Sequence, residues 1–516
     1  MKTIVYLLLL TFLLGACRSN ERASENGSPD SGRYSEIHRP QFHFSPEAHW
    51  MNDPNGLVYY KGEYHLFYQY YPDGMVWGPM HWGHAVSSDL FHWKHLPIAL
   101  YPDSLGLIFS GSAVVDQNNT SGFGSKDNPP MVAIFTYHSM EKEKAGKTDY
   151  QNQGIAFSLD SGRTWTKYEE NPVLKNQGIK DFRDPKVFWH EPSNKWVMTL
   201  AVKDHVELWA STDLKAWTKL SDFGIDYGGH GGVWECPDLF EASVEGTDEK
   251  RWVMLVSINP GGPNGGSATQ YFVGDFDGTT FSTNADKAQS IWIDYGPDDY
   301  AGVTYSNIAG GRKIFLGWMS NWAYAEAVPT NPWRSANTIP RDISLLKHAG
   351  QYYVKSKPSK ELESIAMNPI ALEDMVVKDS AVITNPQIDP SMSVVSATFD
   401  ARDFAIVLSN KEGEIVEVGF DKDANRFYFD RARTGKTDFS KNFIATAYAP
   451  RFATSDKINM TMVTDVSSVE VFFDDGISVL TGLYFTNHKL TTLSVKAPGS
   501  VTVTGIKQMQ LKSVWK

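Results

Sequence analysis

From residue 43 onward, apolar and aromatic residues come in short runs of about four to eight, separated by Gly, Pro, Asn and Asp. Leu57-Val58-Tyr59-Tyr60, Tyr64-His65-Leu66-Phe67-Tyr68, Lys195-Trp196-Val197-Met198 and Trp252-Val253-Met254-Leu255 are examples. β-Branched and aromatic side chains suit a pleated, half-buried surface, and the turn residues end each run before a helix could extend. Spacing at 3.6 residues, the mark of an amphipathic helix, is nearly absent. The pattern predicts an all-β chain.

A weak internal repeat narrows the architecture. Ser87-Ser88-Asp89-Leu90-Phe91-His92-Trp93, Ser158-Leu159-Asp160-Ser161-Gly162-Arg163-Thr164-Trp165 and Ser211-Thr212-Asp213-Leu214-Lys215-Ala216-Trp217 share one plan. Each reads as a strand end, a polar turn and a tryptophan opening the next strand. Their spacing allows one four-stranded propeller blade per interval. A second repeat concerns acids. Asp53-Pro54, Asp184-Pro185 and Glu235-Cys236-Pro237 each precede an apolar run. Proline fixes φ and has no N–H for a ladder, so each acid is expected just ahead of a strand and aimed out of it. In a propeller, equivalent positions on the innermost strands converge on the central channel, which would bring the three carboxylates together.

The pattern changes near residues 345–370. Alternating strands such as Val469-Glu470-Val471-Phe472-Phe473 follow, without the acid-proline pairs. This predicts a propeller over residues 34–355, a linker over 356–370 and a β-sandwich over 371–516. The first 33 residues read differently. Lys2, an apolar stretch over residues 4–14 and then Leu14-Gly15-Ala16-Cys17 resemble a bacterial lipoprotein signal, with lipid on Cys17 and a polar tether over 18–33. The expectation is an exported lipoprotein of the outer membrane, on its periplasmic or cell-surface face, touching the membrane only through this anchor. Cys236 is the one other cysteine, so a lipidated Cys17 leaves no intrachain disulfide.

Composition excludes some functions. The 516 residues carry a net charge of −12 without long basic runs, which argues against nucleic acid and against a polyanionic substrate. Aromatics are 13%, with 16 Trp, which suits a β core and also a sugar-binding surface. His43, His49, His65, His81, His84, His92 and His95 lie close in sequence, but no zinc-binding helix pattern accompanies them, so no metal and no cofactor is expected.

Trp50-Met51-Asn52-Asp53-Pro54-Asn55-Gly56, Phe109-Ser110-Gly111-Ser112-Ala113, Arg183-Asp184-Pro185 and Trp234-Glu235-Cys236-Pro237 occur in that order. So do Trp82-Gly83-His84-Ala85, Gly317-Trp318-Met319-Ser320-Asn321-Trp322 and Pro332-Trp333-Arg334-Ser335. Together they resemble glycoside hydrolase family 32, the invertases, inulinases, levanases and related fructosyltransferases. The resemblance implies a five-bladed propeller followed by a β-sandwich, and a retaining hydrolase acting on a fructose polymer or oligosaccharide. It assigns Asp53 as nucleophile, Glu235 as general acid and base, and Asp184 as the carboxylate that stabilises the transition state. Asn52, Gln69, Trp77, Phe109, Ser110, Arg183 and Trp318 match its terminal fructosyl subsite. Arg183 is expected to keep Asp184 ionised, and burial against Trp234 together with nearby carboxylates to keep Glu235 protonated. Exo action on levan is the leading reading; an endo-levanase, a fructosyltransferase and a non-catalytic fructan-binding lipoprotein are the alternatives. Pro297-Asp298-Asp299-Tyr300-Ala301 departs from the Asp-aromatic-Tyr-Ala pattern of exo enzymes, which puts one wall of the subsite in question.

Overall fold

The computed structural model describes residues 34–287 and 289–515; the signal, the tether and Cys17 lie outside the described residues. Five antiparallel sheets of consecutive strands form the five blades of a propeller. Their innermost strands are His49–Tyr60, Leu107–Val115, Phe182–His190, Val233–Ser243 and Tyr300–Thr304. Each innermost strand packs against the next, and the last against the first, so the ring is closed. In the fifth blade, residues 320–340 are inserted between the second and third strands. Within them Trp333–Arg334 pairs in parallel with His49 and Trp50, tying the last blade to the first.

The repeated turns join the third and fourth strands of the first three blades. In each, a serine hydroxyl donates to the aspartate two residues on: Ser87 to Asp89 at 3.0 Å, Ser158 to Asp160 at 2.8 Å, Ser211 to Asp213 at 3.0 Å. The residue after the aspartate takes a left-handed φ, 69° at Leu90, 57° at Ser161 and 64° at Leu214. A fourth copy sits in the fourth blade. Asp277 accepts the N–H groups of Thr279 and Thr280 at 2.8 and 2.7 Å, with Gly278 at φ 94°. It escapes the sequence pattern because no serine precedes it and Phe281 replaces the tryptophan.

The outermost strand of the fifth blade runs Gln351–Pro358, so residues 356–358 belong to the propeller and the connection is shorter than expected. Beyond it, eleven strands form one sheet folded on itself as a sandwich. Thr492–Gln510 serves both layers: Lys496 pairs with Ala405 in one, and Met509 with Val394 in the other. The bend falls at Pro498-Gly499, where Gly499 takes φ 91°. Phe399 stacks on Phe404 and Phe427 on Phe473, each at 4.0 Å, between the layers.

Buried charge joins the two domains. His43 bridges Asp465 at 2.7 Å and Glu470 at 2.9 Å. Burial alone would lower its pKa, but the hydrogen bonds its ring N–H groups donate to both carboxylates raise it to about 9. Arg341 is buried among Asp294, Asp299 and Glu470. Arg431 reaches from the sandwich to Asp298 at 2.6 Å and to the Tyr324 hydroxyl at 2.8 Å. Asp298 and Asp299 are thus spent on docking the domains, and the unusual acid at position 299 does not face the channel.

Candidate active site

All five innermost strands carry a one-residue bulge. Between Met51 and Pro54, Ile108 and Gly111, Arg183 and Lys186, Glu235 and Asp238, and Tyr300 and Val303, the inner strand advances three residues while its partner advances two. A bulge turns a side chain out of the pleat and increases local twist. Asp184, Cys236 and Ala301 take left-handed φ values of 65°, 47° and 53° there. Asp53, Asp184 and Glu235 therefore lie inside strands, at their bulges, and not ahead of strands as the proline pattern suggested. Pro54, Pro185 and Pro237 are tolerated because the bulge interrupts the ladder.

Four of these bulges aim at one pocket of about 240 Å³, to which the fifth gives no lining residue. Asn52, Asp53, Gln69, Trp77, Phe109, Ser110, Arg183, Asp184 and Glu235 all line it. Trp318 does not. It is fully buried, with ring centroids 6.1 Å from Trp50 and 4.9 Å from Trp322. It sits within the strand Lys313–Met319, whose side chains pack between blades. Trp322, in the insert just beyond, supplies the aromatic wall instead. Sequence reasoning also missed His138, Glu143, Tyr150, Gln151 and Asp181, which line the pocket from one side. They come from strand ends, a short helix and a loop with no shared spacing, so only the fold assembles them.

Asp53 is held on both oxygens. Ser110 donates to Oδ2 at 2.6 Å and the Asn52 amide to Oδ1 at 3.0 Å, Asn52 itself being fixed by the Trp50 indole N–H at 2.8 Å. The buried Cys236 thiol lies 3.6 Å from Oδ2 of both Asp53 and Asp184, and its backbone N–H donates to Asp184 at 3.0 Å. Arg183 donates to Glu235 Oε1 through Nε and Nη2, at 3.1 and 3.0 Å, and to Asp181 at 2.8 Å. The Tyr300 hydroxyl donates to the other Glu235 oxygen. Trp234 does not shield Glu235. It is buried in the core, its indole N–H bonded to the Gly229 carbonyl.

Burial raises the pKa of Asp53, and the Glu235 charge adds to it. Burial also raises Asp184, to about 7, against the opposing charge of Arg183. The expectation that Arg183 keeps Asp184 ionised is corrected: desolvation outweighs the guanidinium, whose hydrogen bonds go to Glu235 and Asp181. A stability effect follows. The fold holds the Asp184 proton up to about pH 7, whereas the unfolded chain releases it near its ordinary value of 3.8. The native state binds the extra proton between these limits, so this contribution falls as pH rises through about 7. Asp184→Asn should therefore melt roughly 2–5 °C higher than wild type near pH 8, with the advantage vanishing near pH 4. Equal melting temperatures near pH 8 would overturn this.

Among the described residues, His205, Glu207 and Asp222 bring possible metal-ligand atoms within 4.8 Å of one another, outside this pocket. Lys219 already pairs with Glu207 at 2.7 Å and Asp222 at 2.8 Å, so a cation is in place there.

Comparison with known proteins shows the family of both domains. Residues 43–358 match the model of the glycosyl hydrolases family 32 N-terminal domain, and residues 351–513 that of the family 32 C-terminal region. The chain is 46% identical to the levanase of Bacillus subtilis over all of its own length and 75% of the relative's. It is 39% identical to the extracellular exo-inulinase of Aspergillus ficuum, covering 91% of this chain and 93% of that one. The crystal structure of the exo-inulinase from Aspergillus awamori superposes with a TM-score of 0.85 at 36% identity, over 93% of this chain and all of the other.

Proposed function

Because the chain belongs to glycosyl hydrolase family 32, we propose that it releases fructose from the ends of a β-fructan, levan first, by a retaining double displacement. One observation carries the reading. Asp53, Asp184 and Glu235 converge from three bulges on a pocket with room for one sugar ring. Pockets that enclose larger ligands run to about 300–1,000 Å³. Asp53 attacks the anomeric carbon of the terminal fructosyl unit while Glu235 gives a proton to the departing glycosidic oxygen. The shortened chain leaves, and fructose stays esterified to Asp53. Glu235 then takes a proton from water, whose oxygen attacks the same carbon and frees fructose and the Asp53 carboxylate. Asp184 binds sugar hydroxyls and offsets positive charge developing in the oxocarbenium-like state.

Exo action is favoured by the small pocket, walled by Trp77, Phe109 and Trp322. The position 297–301 departure does not weaken that wall, since Asp298 and Asp299 are buried in ion pairs while Tyr300 contacts Glu235. Early in a time course on levan, fructose should be nearly the only small product. A ladder of oligosaccharides with a rapid fall in polymer size would favour the endo reading, and transfer products at high sucrose a fructosyltransferase. The sequence signal further supports lipid on Cys17, and Cys17→Ala should move the protein from membranes to the soluble fraction; unchanged partitioning would refute the anchor.

A further inference from the structure

The outer face of the C-terminal sheet holds a hollow of about 480 Å³ that the pocket residues do not use. Its floor follows from strand register. Across five neighbouring strands one rank reads Lys496, Ala405, Gly419, Tyr428, Tyr448. Two small residues beside two tyrosines leave a depression with an aromatic side. Gly419 is required there, because a Cβ would stand 2.2 Å from the Phe404 carbonyl oxygen and 2.8 Å from Tyr428 Cζ. The neighbours in sequence, Phe404, Phe420, Phe427, Phe429, Ala447 and Ala449, point inward and are buried. The tyrosines are thus on the solvent face, where core packing does not call for them.

Their surroundings suit a sugar. Tyr448 is 39% exposed, and the Arg426 guanidinium lies over its ring at 3.9 Å. Arg426 Nε has no protein partner. The Tyr428 hydroxyl donates to Glu417 at 2.9 Å, and Asp430 accepts from Thr446 at 3.1 Å. Apolar ring faces beside carboxylates and a guanidinium match the C–H faces and neighbouring hydroxyls of a furanose. The charges are of both signs, which disfavours a polyanion.

We infer that this hollow binds fructosyl units of the polymer distant from the bond being cut, a reading that rests on the proposed fructan substrate. Its position supports this. Tyr448 N–H donates to Asn264 Oδ1 at 2.9 Å, and Asn264 Nδ2 donates to the Tyr448 carbonyl at 3.0 Å. Asn264 lies in the loop following Lys250–Asn259, at the end of the fourth blade where Glu235 pairs with Ser257. One border of the hollow is therefore tied to the loop at the same end of the fourth blade as Glu235. Holding a chain at two places raises its effective concentration at the pocket, whereas a disaccharide gains nothing.

The test compares full-length wild type with Tyr448→Ala, Tyr448→Phe and Arg426→Gln on levan and on sucrose, with melting temperatures recorded for each. Tyr448→Ala and Arg426→Gln should raise KM for levan about fivefold, while kcat and KM for sucrose stay at wild-type values and Tyr448→Phe retains most levan affinity. In an Asp53→Asn background, retardation of the protein in a levan-containing native gel should weaken with Tyr448→Ala. Unchanged KM and gel mobility would overturn the inference, and so would equal losses on both substrates. Failure of the wild type to hydrolyse levan would instead sink the fructan reading.

Discussion

Asp53→Ala should lower hydrolysis of levan and sucrose by about 10⁴-fold or more while the protein stays folded. The reasoning is chemical and structural at once. The carboxylate is the proposed nucleophile, and without it no covalent intermediate forms. Its hydrogen-bond donors, Ser110 and Asn52, line the open pocket, where water can take the place of the lost oxygens. Burial already raises its pKa, so the fold holds the charged form at a cost and its removal should not destabilise the protein at neutral pH. Rates on both substrates, with a melting curve for the variant, check this. Turnover near the wild-type level would remove Asp53 from the nucleophile role. So would products that first appear with inverted anomeric configuration, which NMR reads within the first turnovers.

Glu235→Ala should cost about 10³-fold in kcat on levan, in the range expected for one proton donor. The loss should shrink to roughly tenfold or less for release of fructose from fructosyl fluoride, since fluoride departs with little protonation. The remaining loss reflects the second step, in which Glu235 activates water. Truncation leaves Arg183 paired with Asp181 at 2.8 Å, so the guanidinium is not stranded and the pocket keeps its shape. Equal losses on levan and on the fluoride would mean that Glu235 supports the site without donating a proton. Both results would then point to the Arg183 and Tyr300 contacts as its main role.

Fold class, the two-domain order and the three acids were legible in the sequence because each is written locally. Strand runs, the Ser-x-Asp turns and the acid-proline pairs are short-range patterns. A turn needs only its own few residues to take its shape, as Asp89, Asp160 and Asp213 show. The resemblance to a known family then supplied roles, blade number and most of the subsite. What the tertiary structure decided is everything that depends on one strand's position relative to another. The bulges are defined by mismatch with a partner strand, so proline alone placed the acids a little wrongly. Trp318 and Trp322 are four residues apart and chemically alike, yet burial between blades takes one and exposes the other to the pocket. Arg183 follows Asp181 and precedes Asp184 in the chain, but its hydrogen bond to Glu235 spans 52 residues and redirects its charge. Asp299 reads as a flaw in a subsite wall until Arg341 is seen to hold it. Local pattern sets which backbone shapes a segment can adopt. Desolvation and ion pairing depend on what lies across the gap, and only the packed fold brings those groups within reach.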